Sequence, residues 1–384
     1  MSGPGEPGGQ ALDRARVTDA HAHGPSQDAP VVLVPGAPAA VAADEAPAAP
    51  MSLGRRLRQP RTIISILLPI AILVLLVASL PGFHLEKLPA TLLAANFWLL
   101  LAALVTYYVG FPLRGYRWAL LLRGAGTTVG VRDATEILFI SWLVNCVVPA
   151  KLGDIYRAWL LRLNFLVSLT RTLGTVFIER ILDLFAIVLL CLAAGFWSFR
   201  DGLPPEIQAL FAVGLVLIGL LALGLFTLRN FGGRLIEVLP IPDRFREMYQ
   251  RFEEGVFAIN RRLIPELGVL TALIWATEAG RLYLVIAAFG FPDVHMGISG
   301  AFFVALAASL LTAVPLTPAG LGLVEAGIVG ILAAAYGVGN TEAAAIAVAD
   351  RAISVLSVIV IGAVVYLVSG KTKGARPQEA AAEV

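Results

Sequence analysis

The sequence has little charge and almost no cysteine or histidine. Charged residues make up 15% of its 384 residues, and there are two cysteines and four histidines. Both Cys146 and Cys191 lie in apolar stretches, which favours small buried hydrophobic side chains over a disulfide or a metal site. Walker and Gly-x-Ser-x-Gly motifs are absent, and no apolar span contains histidine. We therefore expect no catalytic residues, no cofactor and no metal, and a protein that is not an enzyme.

Apolar residues are abundant instead. Hydrophobic residues make up 58% of the chain, and the mean hydropathy is +0.81, far above that of a soluble domain of this length. Six segments are long enough to cross about 30 Å of hydrocarbon, namely 62–80, 92–112, 172–199, 207–228, 267–289 and 343–369. Two more apolar regions, 134–168 and 298–338, are interrupted by proline and glycine. Each could form a re-entrant pair of short helices or two full crossings. The pattern predicts an all-α polytopic membrane protein with about six full transmembrane helices and two broken hairpins.

The ends of the chain differ from this apolar region. Residues 1–50 are rich in Ala, Pro and Gly and lack aromatic residues, which predicts a disordered tail. They contain no basic segment leading into a short apolar stretch, so we expect no secretory signal. We expect the transmembrane domain to occupy 51–370 and a short cytoplasmic tail to occupy 371–384.

The basic residues predict the orientation. If successive spans alternate sides, 22 Lys and Arg residues fall on one side, and only Lys87 and Arg200 fall in the loops of the other. Because basic residues concentrate on the cytoplasmic side, both termini are expected to be cytoplasmic in a multi-pass protein of the cytoplasmic membrane. The loop 229–266 is amphipathic and predicts a helix on the cytoplasmic leaflet.

Two segments about 170 residues apart are nearly the same. The first is Val148-Pro149-Ala150-Lys151-Leu152-Gly153-Asp154, and the second is Thr317-Pro318-Ala319-Gly320-Leu321-Gly322-Leu323. Each segment is followed by an acid–arginine pair, Glu179-Arg180 after the first and Asp350-Arg351 after the second. A Pro/Gly-broken apolar segment repeated in both halves indicates the substrate site of a transporter. Because the span 207–228 is an odd crossing, the repeats 92–199 and 267–369 are expected to be inverted. Their two breaks should then meet near the midplane.

The residues at each break suit an anionic ligand. Pro149 and Pro318 lack an N–H group, and Gly153 and Gly322 permit tight turns and close backbone approach. Irregular backbone at membrane depth is tolerated only where it is buried in protein or lines a wet cavity. A helix that restarts after a break offers N–H groups to a phosphate, and Lys151 adds a positive charge. The alternative is that both prolines are ordinary kinks that serve helix packing.

Ionisable residues inside the spans are the remaining candidates. Each costs roughly 2.5–3.5 kcal/mol on insertion scales, so such residues are usually pathway or ion-pair residues; the alternative is that they anchor helix ends at the interface. We expect Lys151, Arg180 and Arg351 to neutralise an anionic headgroup and Asn145 to form a hydrogen bond across the first hairpin. The predicted substrate-binding residues are Asn145, Pro149, Lys151, Gly153, Asp154, Arg157, Glu179, Arg180, Asp183, Pro315, Thr317, Pro318, Gly320, Gly322, Glu325, Asp350 and Arg351. Headgroup or ion-pair candidates are Arg114, Arg117, Glu278 and Arg281.

These motifs carry a family resemblance over about residues 60–370. The matching pieces are Arg114-x-x-Arg117, Asn145-x-x-x-Pro149-Ala150-Lys151-Leu152-Gly153-Asp154-x-x-Arg157, Glu179-Arg180-x-x-Asp183, Pro315-x-Thr317-Pro318-Ala319-Gly320-Leu321-Gly322-x-x-Glu325 and Asp350-Arg351. In them the chain resembles the flippase-like membrane family typified by the transmembrane region of lysylphosphatidylglycerol synthetases. It departs from the family at Lys151, where arginine is frequent, and at Ala319, where glycine is common. The resemblance implies movement of a lipid across the bilayer, without the soluble synthase domain, and leaves the substrate open.

Three functions are compatible with these patterns. The first is a translocase for a lipid or lipid-linked substrate, whose partners are membrane lipids such as an anionic phospholipid or an isoprenoid-linked molecule. The second is an ion-coupled exporter of small molecules, since acidic residues in spans can relay protons. The third is a non-transporting membrane partner of a glycosyltransferase or lipid-modifying enzyme. No nucleic-acid partner is expected.

Overall fold

The computed structural model describes residues 83–148, 150–200, 202, 205–291, 296–312 and 317–372. The predicted tail 1–50, the predicted first span 62–80 and most of the predicted tail 371–384 lie outside these residues. Pro149 and Pro315 also lie outside them, so the expected approach of Pro149 to Pro318 stays a prediction.

All regular structure in the described residues is helical. The helices are α1 (Leu88–Leu93), α2 (Phe97–Gly124), α3 (Val131–Val147), α4 (Leu152–Phe165), α5 (Leu169–Ser198), α6 (Pro205–Val238), α7 (Asp243–Val256), α8 (Ile264–Phe289), α9 (Ile298–Leu311), α10 (Leu323–Tyr336), α11 (Asn340–Arg351) and α12 (Ser357–Val368). A π-helical segment, Ala352–Leu356, joins the last two helices, and a 3₁₀ turn, Pro318–Gly320, lies at the second break.

Among the residues that the structure describes, five segments are long and apolar enough to cross a membrane. They are Phe97–Gly124, Phe211–Val238, Arg261–Phe289, Pro318–Tyr336 and Asn340–Val368. The predicted span 172–199 also forms one long helix, α5, which is not among the five and which carries Glu179, Arg180 and Asp183. The predicted class, an all-α polytopic membrane protein, is confirmed. The count of six full spans and the inversion of the repeats stay predictions.

Two predicted boundaries differ from the observed helices. The span expected to end at 112 continues through Pro112 to Gly124, so Arg114 and Arg117 lie within α2 and are buried, not in a cytoplasmic loop. The span expected to end at 228 continues as α6 to Val238. The next proline along the chain is Pro240, which disfavours helix in the residue before it. The amphipathic part of the predicted loop 229–266 is therefore the shorter helix α7.

Helix α7 packs on protein through glycine. A Cβ atom on Gly174 of α5 would lie 2.2 Å from the carbonyl oxygen of Phe252, and one on Gly255 of α7 would lie 2.1 Å from that of Arg171. The two helices therefore touch backbone to backbone, and an ion pair of 2.5 Å between Arg171 and Glu254 joins them. This contact orients the first turns of α5, the helix that carries the first acid–arginine pair.

Among the described helices, the most extensive contact is between α2 and α8, the helices that open the two predicted repeats. Helices α3 and α4 pack together beside α2, α9 packs on α5, α8 and α10, and α12 packs on α3. The shared core is apolar and includes Ile137, Leu160, Val304, Leu332 and Ile346. Because lipid is as apolar as these side chains, the helices associate through close packing and through polar contacts inside the bundle.

The two breaks share a local backbone conformation that the sequence alone did not reveal. Ala150 and Lys151 both have positive φ angles, 63° and 51°, and so do their counterparts Ala319 and Gly320, at 50° and 70°. Such angles are uncommon for residues other than glycine, and they concentrate at functional sites. The turn Pro318–Gly320 packs against α3, the helix that leads into the first break. The matched break sequences thus form matched turns on neighbouring helices.

Candidate functional site

A cavity of about 170 Å³ lies where the two broken segments meet α2, α5 and α8. This volume is large enough for several water molecules, since a single water molecule needs at least about 10–15 Å³ of such volume. Of the predicted site residues, the cavity is lined by Arg114, Asn145, Lys151, Arg180, Asp183, Glu278, Arg281, Thr317, Gly320, Asp350 and Arg351. Residues from both halves of the chain therefore share one polar cavity.

The first break is held together by Asn145. Its side-chain oxygen accepts a hydrogen bond of 2.8 Å from the backbone N–H of Gly153, and its amide nitrogen lies 3.4 Å from Asp154. The predicted hydrogen bond across this hairpin is confirmed. Gly153 permits the approach, because a Cβ atom there would lie 2.1 Å from the carbonyl oxygen of Ser141.

The second break uses an acid in the same role. Glu325 accepts a hydrogen bond of 2.7 Å from the backbone N–H of Gly322, whose φ angle is 89°. These contacts occupy N–H groups at the start of α4 and of α10. At Gly153 and Gly322, the amides expected to face a phosphate therefore bond to the protein itself.

Each break is tied to the acid–arginine pair that follows it. Arg180 donates two hydrogen bonds of 3.0 Å to Asp154 on α4, and Arg351 donates one of 2.8 Å to Glu325 on α10. The partners are 26 residues apart in both cases, so the two ion pairs are equivalent positions of the repeat. Arg351 also donates to the carbonyl oxygen of Ala319, 2.5 Å away, at the turn itself.

Arg117 is the centre of a buried cluster next to the cavity, and Asp183 belongs to both. Its side chain is 1% exposed and donates hydrogen bonds to Asp183 at 2.7 Å, Thr271 at 2.9 Å and Glu179 at 3.1 Å. Arg157 of α4 lies 2.9 Å from the other oxygen of Glu179. The cluster joins α2, α4, α5 and α8, and burial without these partners would be very costly for each charge.

A chain of charges crosses from α2 to the end of α11. Glu278 accepts hydrogen bonds from Arg114 at 2.6 Å and from Arg281 at 3.2 Å, and Arg281 in turn contacts Asp350. The headgroup or ion-pair candidates Arg114, Arg117, Glu278 and Arg281 are thus members of buried ion pairs. The π-helical segment begins two residues after Asp350, and such segments frequently mark functional sites.

The charges of this region nearly balance. Six arginines each have a carboxylate partner within 4 Å, namely Arg114, Arg117, Arg157, Arg180, Arg281 and Arg351. Six carboxylates provide those contacts, namely Asp154, Glu179, Asp183, Glu278, Glu325 and Asp350. Lys151 lines the same cavity and has no carboxylate within 4 Å among the described residues. One positive charge is therefore left over, at the first break.

Several predicted residues support the cavity without lining it. These residues lie next to the lining residues and hold them in place through the contacts described above. They are Gly153, Asp154, Arg157, Glu179, Pro318, Gly322, Glu325 and Arg117. In the part of the chain that the structure describes, no group of three or more His, Cys, Asp or Glu side chains could hold a metal ion.

Aromatic residues of the lining were not predicted. Tyr107, Trp142 and Trp275 face the cavity from α2, α3 and α8, and the hydroxyl group of Tyr107 donates to the carbonyl oxygen of Ser354 in the π-helical segment, 3.0 Å away. Trp275 donates to Asp183 at 3.1 Å. An aromatic residue inside an apolar span resembles any core residue, so no sequence pattern separates these three from their neighbours.

We expect Gly153→Ala to destabilise the protein by about 1–3 kcal/mol, the usual cost of overpacking. The added methyl group would meet the backbone oxygen of Ser141, which cannot move unless α3 and α4 separate. Gly330→Ala in α10 is the matched control, because a Cβ atom there meets nothing within 4 Å. Its expected effect is neutral or stabilising by up to about 1 kcal/mol. Thermal unfolding of both variants in detergent tests this, and equal melting temperatures would contradict the role of Gly153.

The helical fold, the apolar spans and the buried polar cavity define a multi-pass membrane protein with an internal site. The chain belongs to the family described as the lysylphosphatidylglycerol synthase transmembrane region, whose model matches residues 63–362. The family expected from the break motifs is thus confirmed.

Curated relatives support this membership. The chain is 33% identical over 228 residues to the UPF0104 membrane protein MJ1078 of Methanocaldococcus jannaschii, a match that covers 59% of this chain and 93% of that protein. It is 28% identical over 289 residues to a UPF0104 membrane protein of Methanothermobacter thermautotrophicus, covering 69% and 84%. It is also 28% identical over 326 residues to glycosyltransferase AglD of Haloferax volcanii, covering 74% of this chain but 51% of that protein.

Proposed function

We propose that the protein is a translocase that moves a lipid or lipid-linked substrate with an anionic headgroup across the cytoplasmic membrane, without itself being an enzyme. The observation that carries the proposal is the cavity, which is lined by Lys151 of one break, by Gly320 of the other and by Arg351 at the end of α11. Polar cavities formed by discontinuous segments of two repeats are the sites at which secondary transporters hold their substrates.

The headgroup would enter this cavity while the hydrocarbon chains stay in the lipid. The ammonium group of Lys151 offers three hydrogen-bond donors and a full positive charge to a phosphate. A phosphate and this ammonium neutralise one another, so the pair costs less in a low-dielectric region than either charge alone. Lys151, together with Arg180 and Arg351, is therefore the proposed contact for the headgroup.

The equivalent ion pairs Asp154–Arg180 and Glu325–Arg351 are the proposed moving parts. Each joins a break to the next helix of its own repeat, and each arginine lines the cavity. If the repeats are inverted, as predicted, loosening of one pair opens the cavity to one side while the other pair stays closed. Both termini are proposed to face the cytoplasm, from the distribution of basic residues.

The proposal ranks above ion-coupled export because of the paired carboxylates. A proton relay needs carboxylates that are free to exchange protons with water or with one another, and the six carboxylates around this cavity are instead engaged in ion pairs, each within 4 Å of an arginine. The match to half of a glycosyltransferase supports a second candidate, a membrane partner that presents a lipid-linked substrate to such an enzyme.

Lipid movement by the purified chain tests the first function directly. The full chain is reconstituted into proteoliposomes with a fluorescent phosphatidylglycerol, and loss of fluorescence is followed after an impermeant quencher is added outside. We expect faster movement than in protein-free vesicles, and we expect Lys151→Gln to slow it at least about tenfold, the equivalent of 1.4 kcal/mol. Lys87→Gln, at an exposed site outside the cavity, is the control. If the rates equal those of protein-free vesicles for both phosphatidylglycerol and an isoprenoid phosphate, the translocase proposal is wrong. The membrane-partner function then takes its place.

A further inference from the structure

We propose that residues 369–372 form a strap that holds both arms of the first hairpin, α3 and α4, and that lipid movement requires this strap to release. The strap follows directly after α12, a helix of the second predicted repeat. It therefore links one repeat to the hairpin of the other. The inference rests on the proposed function, because it names a step in the movement of the lipid.

The strap holds α3 through two acidic side chains near the start of that helix. The hydroxyl group of Ser369 donates a hydrogen bond of 2.5 Å to Glu136 and accepts one of 3.1 Å from the backbone N–H of Lys371. The ammonium group of Lys371 lies 2.8 Å from a carboxylate oxygen of Asp133. Because Asp133 and Glu136 are three residues apart on a helix, they lie on one face, and the strap contacts that face twice.

The strap also holds α4, at the last turn of that helix. The side-chain amide of Asn164 donates a hydrogen bond of 2.9 Å to the carbonyl oxygen of Lys371. The ammonium group of Lys371 lies 5.2 Å from the centroid of the Phe165 ring, a distance at which a cation is attracted to an aromatic face. Lys371 thus contacts both arms of the hairpin, at the ends of α3 and α4 that are far from the break.

The contacts of the strap are weak enough to open. The side chains of Lys371 and Asp133 are 22% and 34% exposed, so solvent screens their attraction. The side chain of Arg117, by contrast, is 1% exposed, and its cluster joins the helices in the interior. Segments with few buried contacts open locally at a small part of the cost of global unfolding. The strap can therefore release while the bundle stays folded.

Release of the strap would free α4 to move the ion pair at its other end. Asp154, in the first turn of α4, pairs with Arg180, and the 14 residues of the helix extend about 21 Å to Phe165. Arg157 lies between these ends and is fixed by Glu179 at 2.9 Å, so it provides a pivot. A displacement at the strap then becomes a displacement at the pair that the proposed function treats as a moving part.

A reversible crosslink across the strap tests the inference. The thiols of Asp133→Cys/Lys371→Cys are joined in detergent by a short bis-methanethiosulfonate, which dithiothreitol removes, and the full chain is reconstituted with fluorescent phosphatidylglycerol. Because the two positions are already in contact, the crosslink keeps the fold and prevents only release. We expect lipid movement to slow at least about tenfold, as when a closed lid limits turnover, and to recover with the reductant.

A crosslink at a second ion pair is the matched control. Arg171→Cys/Glu254→Cys joins α5 and α7 at another partly exposed pair, outside the hairpin, and should leave the rate unchanged. The single-cysteine variants, treated in the same way, show any effect of the reagent on the buried Cys146 and Cys191.

A loosened strap gives a readout separate from transport. Ser369→Ala/Lys371→Met removes the side-chain contacts with α3, and lipid movement should be as fast as in the wild type or faster. Hydrogen–deuterium exchange of residues 160–165, in the last turns of α4, should become at least about tenfold faster, since local opening is easier. Melting temperatures show that each variant is folded.

The outcomes separate the two proposals. If the wild type moves lipid and the crosslink across the strap does not slow it, or the control crosslink slows it equally, the translocase stands and the strap is wrong. Loss of movement in the folded, loosened variant, or exchange equal to that of the wild type, would also overturn the strap. If exchange becomes faster as expected but the wild type moves no lipid, the strap stands as a hold on the hairpin and the translocase fails.

Discussion

Replacing Arg117 with methionine is expected to lower the free energy of unfolding by about 3–5 kcal/mol, the usual cost of removing one partner of a buried ion pair. Arg117 is 1% exposed and donates hydrogen bonds to Asp183, Thr271 and Glu179. Methionine keeps most of the volume of the side chain but leaves two buried carboxylates short of a partner. Thermal and denaturant unfolding in detergent micelles measures the loss.

Two further variants make this result specific. Arg123→Met lies on the same helix at an exposed site and should be nearly neutral. The double variant Arg117→Met/Asp183→Asn removes charges of both signs and should recover part of the loss, because neighbouring charges are coupled. A melting temperature of Arg117→Met equal to that of the wild type would show that the cluster does not hold the helices together.

Replacing Arg180 with alanine is expected to slow lipid movement about 10- to 150-fold, at a smaller cost in stability than Arg117→Met. Hydrogen bonds to charged groups contribute about 1.5–3 kcal/mol, which corresponds to this range of rates. Arg180 lines the cavity, and its side chain is 30% exposed, so solvent screens part of the charge left on Asp154. The measurement is the proteoliposome rate, normalised to folded protein.

An exchange of charges separates the two roles that Arg180 could have. The double variant Asp154→Arg/Arg180→Asp keeps an ion pair between α4 and α5 but moves the positive charge to the other helix. We expect it to recover the melting temperature and not the rate. If it recovers both, the pair is a structural latch, and the substrate-binding role assigned to Arg180 is wrong. Arg351→Ala should behave like Arg180→Ala, since its pair with Glu325 is equivalent.

The hydrogen bond of Asn145 across the first break was the most predictable contact of the site. Asn145 and Gly153 are eight residues apart in a motif with proline between them, so a hydrogen bond across the hairpin follows from local geometry. The family follows from the same motifs, because their spacing is specific. The alternative of simple proline kinks predicted neither the paired positive φ angles nor a cavity shared by both breaks.

The partners of the buried charges were not predictable in the same way. Arg117 lies 66 residues from Asp183, and Arg114 lies 164 residues from Glu278. Six arginines and six carboxylates can be matched in many ways, and no sequence rule chooses among them. For Arg114 and Arg117, the predicted end of the span at residue 112 placed both residues outside the helix, and their burial was therefore not expected.

What the sequence determined by itself was the kind of protein: its apolar composition requires helices that satisfy their own backbone hydrogen bonds in lipid, and its repeated Pro/Gly motifs require breaks in two of them. Those are local properties, since each depends on residues within a few turns of one another. The tertiary structure decided which charges neutralise each other and which one does not. That outcome depends on how α2, α5, α8 and α11 pack side by side, and packing brings together residues far apart in the chain. The lone charge of Lys151, on which the proposed function depends, is a property of the assembled bundle.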